Sequence, residues 1–207
     1  GELPFLFCEL PLPREVQITQ KGFNLYVWTE HLKRRIELLT EYGCRFLIQN
    51  NGKARLLPLE GASQEQKEQM LQFFFILCEL AEPYGITILL ETLSPRRTNF
   101  LNTLSEVAEF SLLLGKENLA VSVSLREFGE ENFTGEMLKE HSSLIKHVQI
   151  ENPFFMESPR RTPRTGDGYD YKTFFKALDY IDYHGSIVLP EEGDRESLVY
   201  CKSLLRG

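Results

Sequence analysis

The stretch "ITILLETLSPRRTNFLNT", residues 86 to 103, places a continuous apolar run directly before one acid and a polar loop with two arginines. A short apolar run that ends on Glu91 is typical of a strand in a parallel sheet, because helices cover both faces of such a sheet. Thr103, with Glu106 three residues later, fits a capping box and marks the start of the next helix. The stretch therefore predicts one β/α unit with Glu91 at the carboxyl end of its strand.

The same pattern recurs along the chain. Short apolar runs predict six strands, over residues 4–10, 45–50, 86–92, 119–124, 146–151 and 186–191. Helical spacing follows over 28–42, 63–84, 103–115, 134–144, 170–183 and 194–205. Ser63 with Gln66 forms a second capping box, and Gly43, Gly85 and Gly115 stand where helices should end. The sequence thus predicts six β/α units.

Two α/β architectures fit six such units: an open, doubly wound sheet, or a (β/α) TIM-type barrel that lacks two units. An open nucleotide-binding sheet usually carries a glycine-rich phosphate loop after its first strand. Neither G-x-G-x-x-G nor a Walker sequence occurs in this chain. A nucleotide-binding open sheet is thereby weakened, and both architectures stay open on the spacing alone. No linker or low-complexity tract divides residues 1–207, so we expect a single domain.

The composition restricts the class of protein and of partner. With 207 residues, 42% of them hydrophobic, the chain can bury a sizeable core. Its net charge of −7 argues against a nucleic-acid partner, since such binding depends on clustered lysine and arginine. No apolar stretch is long enough to span a bilayer, and the four cysteines form no C-x-x-C pair. We therefore expect a cytoplasmic protein with no membrane partner.

Polar side chains gather at the predicted carboxyl ends of the strands, where parallel α/β folds place their active residues. They are Glu9, Asn50, Asn51, Glu91, Ser124, Glu127, Gln149, Glu151, Asn152, Glu191 and Glu192. Strand ends meet solvent in most proteins and are polar for that reason alone. The collection indicates where to look for a site and does not by itself define one.

Several of these segments carry a family resemblance. "QNNGKARLLPLEG", "ILLETLSPRRTNFLNT" and "IKHVQIEN", followed by "GDGYDYKTFFKALDYIDYHGSIVL", resemble the xylose-isomerase-like TIM-barrel superfamily of sugar and sugar-phosphate isomerases and epimerases, above all the ketose 3-epimerases. The resemblance implies an eight-stranded barrel whose third strand is the first strand here, so that about two N-terminal β/α units are lacking. Unpaired strand edges would remain, from which we expect the chain either to form a homodimer or to borrow strands.

The resemblance also implies a site for one divalent metal such as Mn²⁺ or Mg²⁺, held by two glutamates, an aspartate and a histidine from four strands. Glu91 matches the first ligand and the first proton-transfer acid. The other ligand positions fall on Ser124, Gln149 and Pro190, with Glu191 one residue late. A carboxylate, a hydroxyl and an amide neutralise a dication poorly, so we expect weak or absent metal binding.

Four further residues fall at substrate-binding positions of the superfamily. Glu127 stands where a histidine is expected, and His147 is the retained first histidine of an H-x-H strand end. Arg161 and Arg164 occupy a loop that carries a substrate-contacting arginine, and guanidinium groups suit phosphate or carboxylate. A structural role for His147 and a solvated loop for the two arginines remain open alternatives.

Two functions follow as hypotheses. The first is an isomerase or epimerase of a small sugar or sugar phosphate that transfers a proton next to a carbonyl, with Glu91 and Glu191 as acid and base. The second is a non-catalytic barrel homologue that keeps the cleft and binds a polyol or an anionic metabolite. The two differ in whether a pair of acids flanks the reacting carbon.

Overall fold

The computed structural model describes residues 7–130, 133–153, 161–190 and 195–205. The strands are Phe7–Glu9 (β1), Phe46–Gln49 (β2), Thr87–Glu91 (β3), Leu119–Ser124 (β4), Ile145–Gln149 (β5) and Ser186–Val188 (β6). The helices are Leu25–Glu41 (α1), Gln64–Ala81 (α2), Leu104–Leu114 (α3), Leu125–Glu130 (α4), Gly135–Glu140 (α5), Tyr171–Tyr180 (α6) and Arg195–Leu204 (α7). Each strand predicted from the sequence is present, and α4 is an additional short helix.

The chain divides into two compact units, residues 1–120 and 121–207. In the first unit β1 pairs in parallel with β2, and β2 pairs in parallel with β3. In the second unit β4 pairs in parallel with β5, and β5 with β6. Parallel neighbours that follow one another in the chain need a crossover, which the helices supply. The predicted alternation of strands and helices is confirmed, whereas the single domain over the whole chain stays a prediction.

The core of the first unit sets the surroundings of Glu91. Ile48, Leu89 and Ala120 form a buried cluster against which Phe7 and Phe46 also pack. Successive side chains of a strand point to opposite faces, so Glu91 lies on the same face of β3 as Leu89. An acid thus follows an apolar layer at the carboxyl end of the strand.

The loop between β3 and α3 is held by side chains that the sequence had marked. The Thr103 hydroxyl accepts a hydrogen bond from the Glu106 main-chain N–H at 3.2 Å, and a Glu106 carboxylate oxygen accepts one from the Thr103 N–H at 3.1 Å. Asn102 donates from its side chain to the main-chain oxygens of Leu93 and Thr98. The predicted capping box is confirmed, and it closes the loop that follows Glu91.

Replacing Thr103 by alanine should lower the free energy of unfolding by about 1 kcal/mol, because one N–H of the first turn of α3 loses its acceptor. Urea denaturation followed by circular dichroism measures this difference. Thr103→Ser keeps the hydroxyl and should stay close to the unchanged protein. An equal loss in both variants would show that the hydroxyl does not act as the cap.

Candidate functional site

The carboxyl ends of the first three strands carry one connected set of polar groups. Glu91 ends β3 and is only 1% exposed. The Asn50 side chain donates to a Glu9 carboxylate oxygen at 2.8 Å, which joins the ends of β1 and β2. Arg97, in the loop after β3, donates from Nη2 to the Asn50 main-chain oxygen at 3.0 Å. The strand ends that the sequence predicted to lie together are thus linked within this unit.

Arg55 is the residue of this set that sequence reasoning missed. It is 0% exposed, and its Nη2 donates to the main-chain oxygen of Glu91 at 2.9 Å. A short 3₁₀ helix over Lys53–Arg55 carries it, and the Asn51 side chain caps that turn by accepting from the Lys53 and Ala54 N–H groups. The quoted segment "QNNGKARLLPLEG" contains the arginine, but nothing in its local spacing indicates burial.

The loops after β2 and β3 touch at Gly52. A Cβ added to Gly52 would overlap the main-chain oxygen of Arg97. The close approach brings the turn that carries Arg55 against the loop that follows Glu91. Glycine is required here by space, since any side chain would push the two loops apart.

Replacing Gly52 by alanine should therefore destabilise the fold by about 1 to 3 kcal/mol, as expected where an added methyl group forces backbone to move. Thermal and urea unfolding measure the loss. Lys53→Ala, at the exposed next position, is the control and should change stability by less than about 0.5 kcal/mol. Similar values for the two variants would contradict the close approach.

In the second unit, two of the predicted ligand positions are neighbours. Ser124 and Gln149 are register partners at the ends of β4 and β5. The Ser124 hydroxyl accepts from the Glu127 N–H at 3.2 Å and so starts α4, while Gln149 donates from its side chain to the Ser122 hydroxyl at 3.4 Å. Glu127 itself is fully buried. The predicted residues Ser124, Glu127 and Gln149 are thus brought close to one strand end.

A buried ion pair lies beside them. Arg126 Nε contacts a Glu151 carboxylate oxygen at 2.7 Å, and both side chains are almost entirely buried. The following residue, Asn152, donates its main-chain N–H to the Arg161 oxygen at 2.7 Å. Breaking such a pair by removing one partner usually leaves an uncompensated buried charge. The sequence had marked Glu151 only as a polar strand end and had not singled out Arg126.

The predicted loop arginines have different surroundings. Arg161 and Arg164 are both exposed, and the Arg164 N–H donates to an Asp167 carboxylate oxygen at 2.7 Å. Their exposure fits the solvated-loop reading as well as a contact with an anion. The second predicted acid, Glu191, lies outside the described residues.

His147 is fully buried in β5, and its Nδ1 lies 2.7 Å from the Ser186 hydroxyl of the neighbouring strand. Burial lowers its pKa from 6.5 to about 4, because a charged imidazole loses hydration there. The histidine is therefore neutral at physiological pH. This favours the structural reading of the residue, and a role in substrate binding stays a prediction.

The pKa of His147 predicts how stability depends on pH. Between pH 6.5 and about 4 the unfolded chain takes up a proton at this histidine that the folded chain does not, so stability falls as the pH falls through that window. At the acid end of this window the free energy of unfolding should be lower by about 3 kcal/mol. In urea titrations with a chelator present, the His147→Gln variant should not show this loss of stability at low pH. The exposed His184→Gln control should retain it.

The residues that the resemblance predicts as metal ligands have side chains that fit a divalent ion poorly. In the first unit Glu91 offers one carboxylate, and in the second unit Ser124 and Gln149 offer a hydroxyl and an amide, whereas Mn²⁺ and Mg²⁺ favour several anionic oxygens. The Ser124 hydroxyl is moreover engaged as the acceptor of the Glu127 N–H. Within the part of the chain that the structure describes, no cluster of three or more His, Cys, Asp or Glu is arranged to hold a metal.

The described helices include none that is long and apolar enough to cross a membrane.

Comparison with known proteins assigns this arrangement to a fold. Residues 28–201 match the family described as xylose isomerase-like TIM barrel. Among curated proteins, the 2-oxo-tetronate isomerase of Haemophilus influenzae is 30% identical over 160 residues, which cover 74% of this chain and 59% of that protein. The chain thus spans less than two thirds of the length of this relative.

Solved structures give the same fold. A D-psicose 3-epimerase crystallised in the presence of D-fructose has a TM-score of 0.76 and 16% identity, covering 98% of this chain and 79% of the other. The IolI protein, whose crystal structure holds a zinc atom, has a TM-score of 0.66 and 18% identity, covering 97% and 72% of the two chains. The predicted α/β barrel-type fold with six of eight units is confirmed.

Proposed function

Because the chain belongs to the xylose isomerase-like TIM-barrel family, as its sequence indicated, we propose that it is an isomerase that transfers a proton next to the carbonyl of a small sugar-derived substrate. The observation that carries the proposal is Glu91, a buried acid at the carboxyl end of β3. Active residues of TIM barrels lie at this end of the strands. The curated relative and the solved epimerase act by isomer-forming chemistry, as their names state.

The substrate that we propose is a short keto sugar or its 2-oxo acid. The name of the curated relative supports a 2-oxo sugar acid, and that of the solved neighbour supports a ketose. Arg55 donates to the main-chain oxygen of Glu91 and Arg97 donates to that of Asn50, so positive charge lies at the carboxyl ends of β3 and β2 in the first unit. Positive charge at this end favours a substrate that carries a carboxylate or that becomes an anion during the reaction.

The chemistry is a proton transfer that this chain's own acids can carry out. The carboxylate of Glu91 takes the proton from the carbon next to the carbonyl, and the electron pair of the broken C–H bond moves to form an enediolate with its charge on the former carbonyl oxygen. Return of the proton to the former carbonyl carbon, together with transfer of the hydroxyl proton from the neighbouring oxygen to the former carbonyl oxygen, gives the carbonyl-shifted isomer. Return to the same carbon from the opposite face gives the epimer and requires a second acid on that face.

Solvent-deuterium exchange tests the proposal. The full chain is incubated in D₂O with 2-oxo-tetronate, D-fructose and D-psicose, with chelator and separately with Mn²⁺, and proton NMR follows each substrate. We expect deuterium at the carbon next to the carbonyl of at least one compound, together with its isomer. A folded chain that exchanges none of them would refute the proposal. Saturable binding without exchange would then support the non-catalytic alternative.

A further inference from the structure

Arg55 gives the strand end at Glu91 a permanent positive charge. We propose that it is a positioning residue that takes the place of a divalent ion there, so that this part of the site needs no metal. Its effect on rate rests on the proposed function, whereas its effect on metal binding does not. The inference starts from its complete burial and from its 2.9 Å bond to the main-chain oxygen of Glu91.

Backbone contacts from several directions fix the segment that carries the guanidinium. The Ala54 main-chain oxygen accepts from the Ile18 N–H at 3.0 Å. Just after the arginine, the Leu57 N–H donates to the Asn99 side chain at 2.8 Å, and that side chain donates back to the Leu57 oxygen at 2.9 Å. Segments before β2 and after β3 therefore hold both sides of the turn. Arg55 is thus a built part of the strand end and not a surface arginine that can turn away.

The charge on this group does not depend on conditions. A guanidinium stays protonated in proteins, and burying it is costly unless acceptors and opposite charge accompany it. The acceptor is the main-chain oxygen of Glu91, so the positive charge is held on the residue that also carries the carboxylate. The charge of Arg55 thereby compensates the negative charge on Glu91 that would otherwise attract a metal ion.

Two consequences follow for chemistry at Glu91. A dication placed at this carboxylate would meet a fixed like charge, which raises the free energy of the bound ion. An enediolate formed beside Glu91 would meet the same charge as a favourable field that is already in place before the reaction starts. One buried arginine therefore disfavours the metal and supports the anionic intermediate.

Metal binding gives a test that is independent of activity. Mn²⁺ is titrated into the full chain and its variants, and free Mn²⁺ is counted by electron paramagnetic resonance. Arg55→Gln keeps an N–H donor for the Glu91 oxygen but removes the charge, and we expect it to bind Mn²⁺ about 10- to 100-fold more tightly than the unchanged chain. Arg55→Lys keeps the charge and should bind as weakly as the unchanged chain. Adding Glu91→Gln to Arg55→Gln should abolish the gain.

Activity gives the second readout. Arg55→Gln should lower kcat for deuterium exchange at least about tenfold, with a smaller change in KM, and Arg55→Lys should retain most of kcat. Equal rates for the two variants would reduce Arg55 to a hydrogen-bond donor and overturn the proposal. Arg45 is an exposed arginine just before β2, so Arg45→Gln is the matched control and should change neither readout.

Failure of this inference can be told apart from failure of the proposed function. If the unchanged chain shows no exchange, the proposed function fails, and the Mn²⁺ titration still judges the role of Arg55. If Arg55→Gln does not fold, the comparison of the unchanged chain with Glu91→Gln decides. Tight Mn²⁺ binding by the unchanged chain that Glu91→Gln abolishes would overturn the inference, and its absence would support it.

Discussion

Replacing Glu91 by glutamine should lower the rate of solvent-deuterium exchange by about 10²- to 10⁴-fold, the range that a lost general acid or base usually costs. The amide has nearly the shape of the acid but cannot exchange a proton with carbon. Arg55 bonds to the main-chain oxygen of residue 91, which the variant retains, so the strand end should keep its position. Proton NMR in D₂O measures the rate, and thermal unfolding checks the fold.

The matched control is Glu109→Gln, which makes the same chemical change on the exposed face of α3 in the same unit. It should leave the exchange rate unchanged. Saturation curves separate the two roles of Glu91, because loss of an acid/base lowers kcat, whereas loss of a substrate contact raises KM. A Glu91→Gln variant that kept most of its kcat would remove Glu91 from the chemistry.

The elements of this fold were predictable because their signals are local. The apolar run that ends on Glu91, the capping box at Thr103 and the glycine at 115 each lie within a few residues of the boundary they mark. Gly115 takes the left-handed conformation expected of a helix terminator, with φ of 62°. Hydrophobic spacing and caps are read from neighbouring residues, so strands and most helices were placed correctly.

The helix α4 was missed for the opposite reason. Its six residues, Leu125–Glu130, are too few to show helical spacing. The helix starts because Ser124, the last residue of β4, accepts the Glu127 N–H. From the sequence, Ser124 is predicted as a polar strand end and a metal-ligand position, and not as a helix cap. The available signal was the spacing of Ser124 and Glu127. A serine three residues before a glutamate is the spacing of a capping box, and it marks the start of a helix.

The chemistry of the candidate site depends on contacts between distant segments. Arg55 and Glu91 are 36 residues apart, and Arg126 and Glu151 are 25 residues apart. An arginine is exposed in most proteins, so nothing in the sequence around Arg55 or Arg126 indicated that either is buried. Local sequence identified the acids of the strand ends, and only the folded chain shows which cations accompany them.

Replacing Phe74 by alanine should lower the free energy of unfolding by about 3 to 5 kcal/mol, the cost usual for a fully buried aromatic ring. Phe74 meets Phe73 edge-on at 5.4 Å and Phe110 of α3 at 5.6 Å between ring centroids. Phe110 in turn meets Phe100, in the loop between β3 and α3, at 5.6 Å. Removing the central ring leaves a cavity between α2 and α3. Urea denaturation monitored by circular dichroism measures the loss.

Phe75→Ala is the matched control, since the neighbouring ring is 43% exposed and carries Lys116 Nζ over its face at 4.5 Å. It should lower the free energy of unfolding by less than about 1 kcal/mol, and equal losses in the two variants would contradict the assignment of Phe74 to the core.

Below its melting transition, Phe74→Ala should retain the exchange activity, because β-strand pairing and Arg55 hold Glu91 without that ring. Glu91→Gln should behave in the opposite way, with normal stability and lost exchange. Opposite outcomes in the two variants would separate the chemistry of the strand end from the packing that supports it.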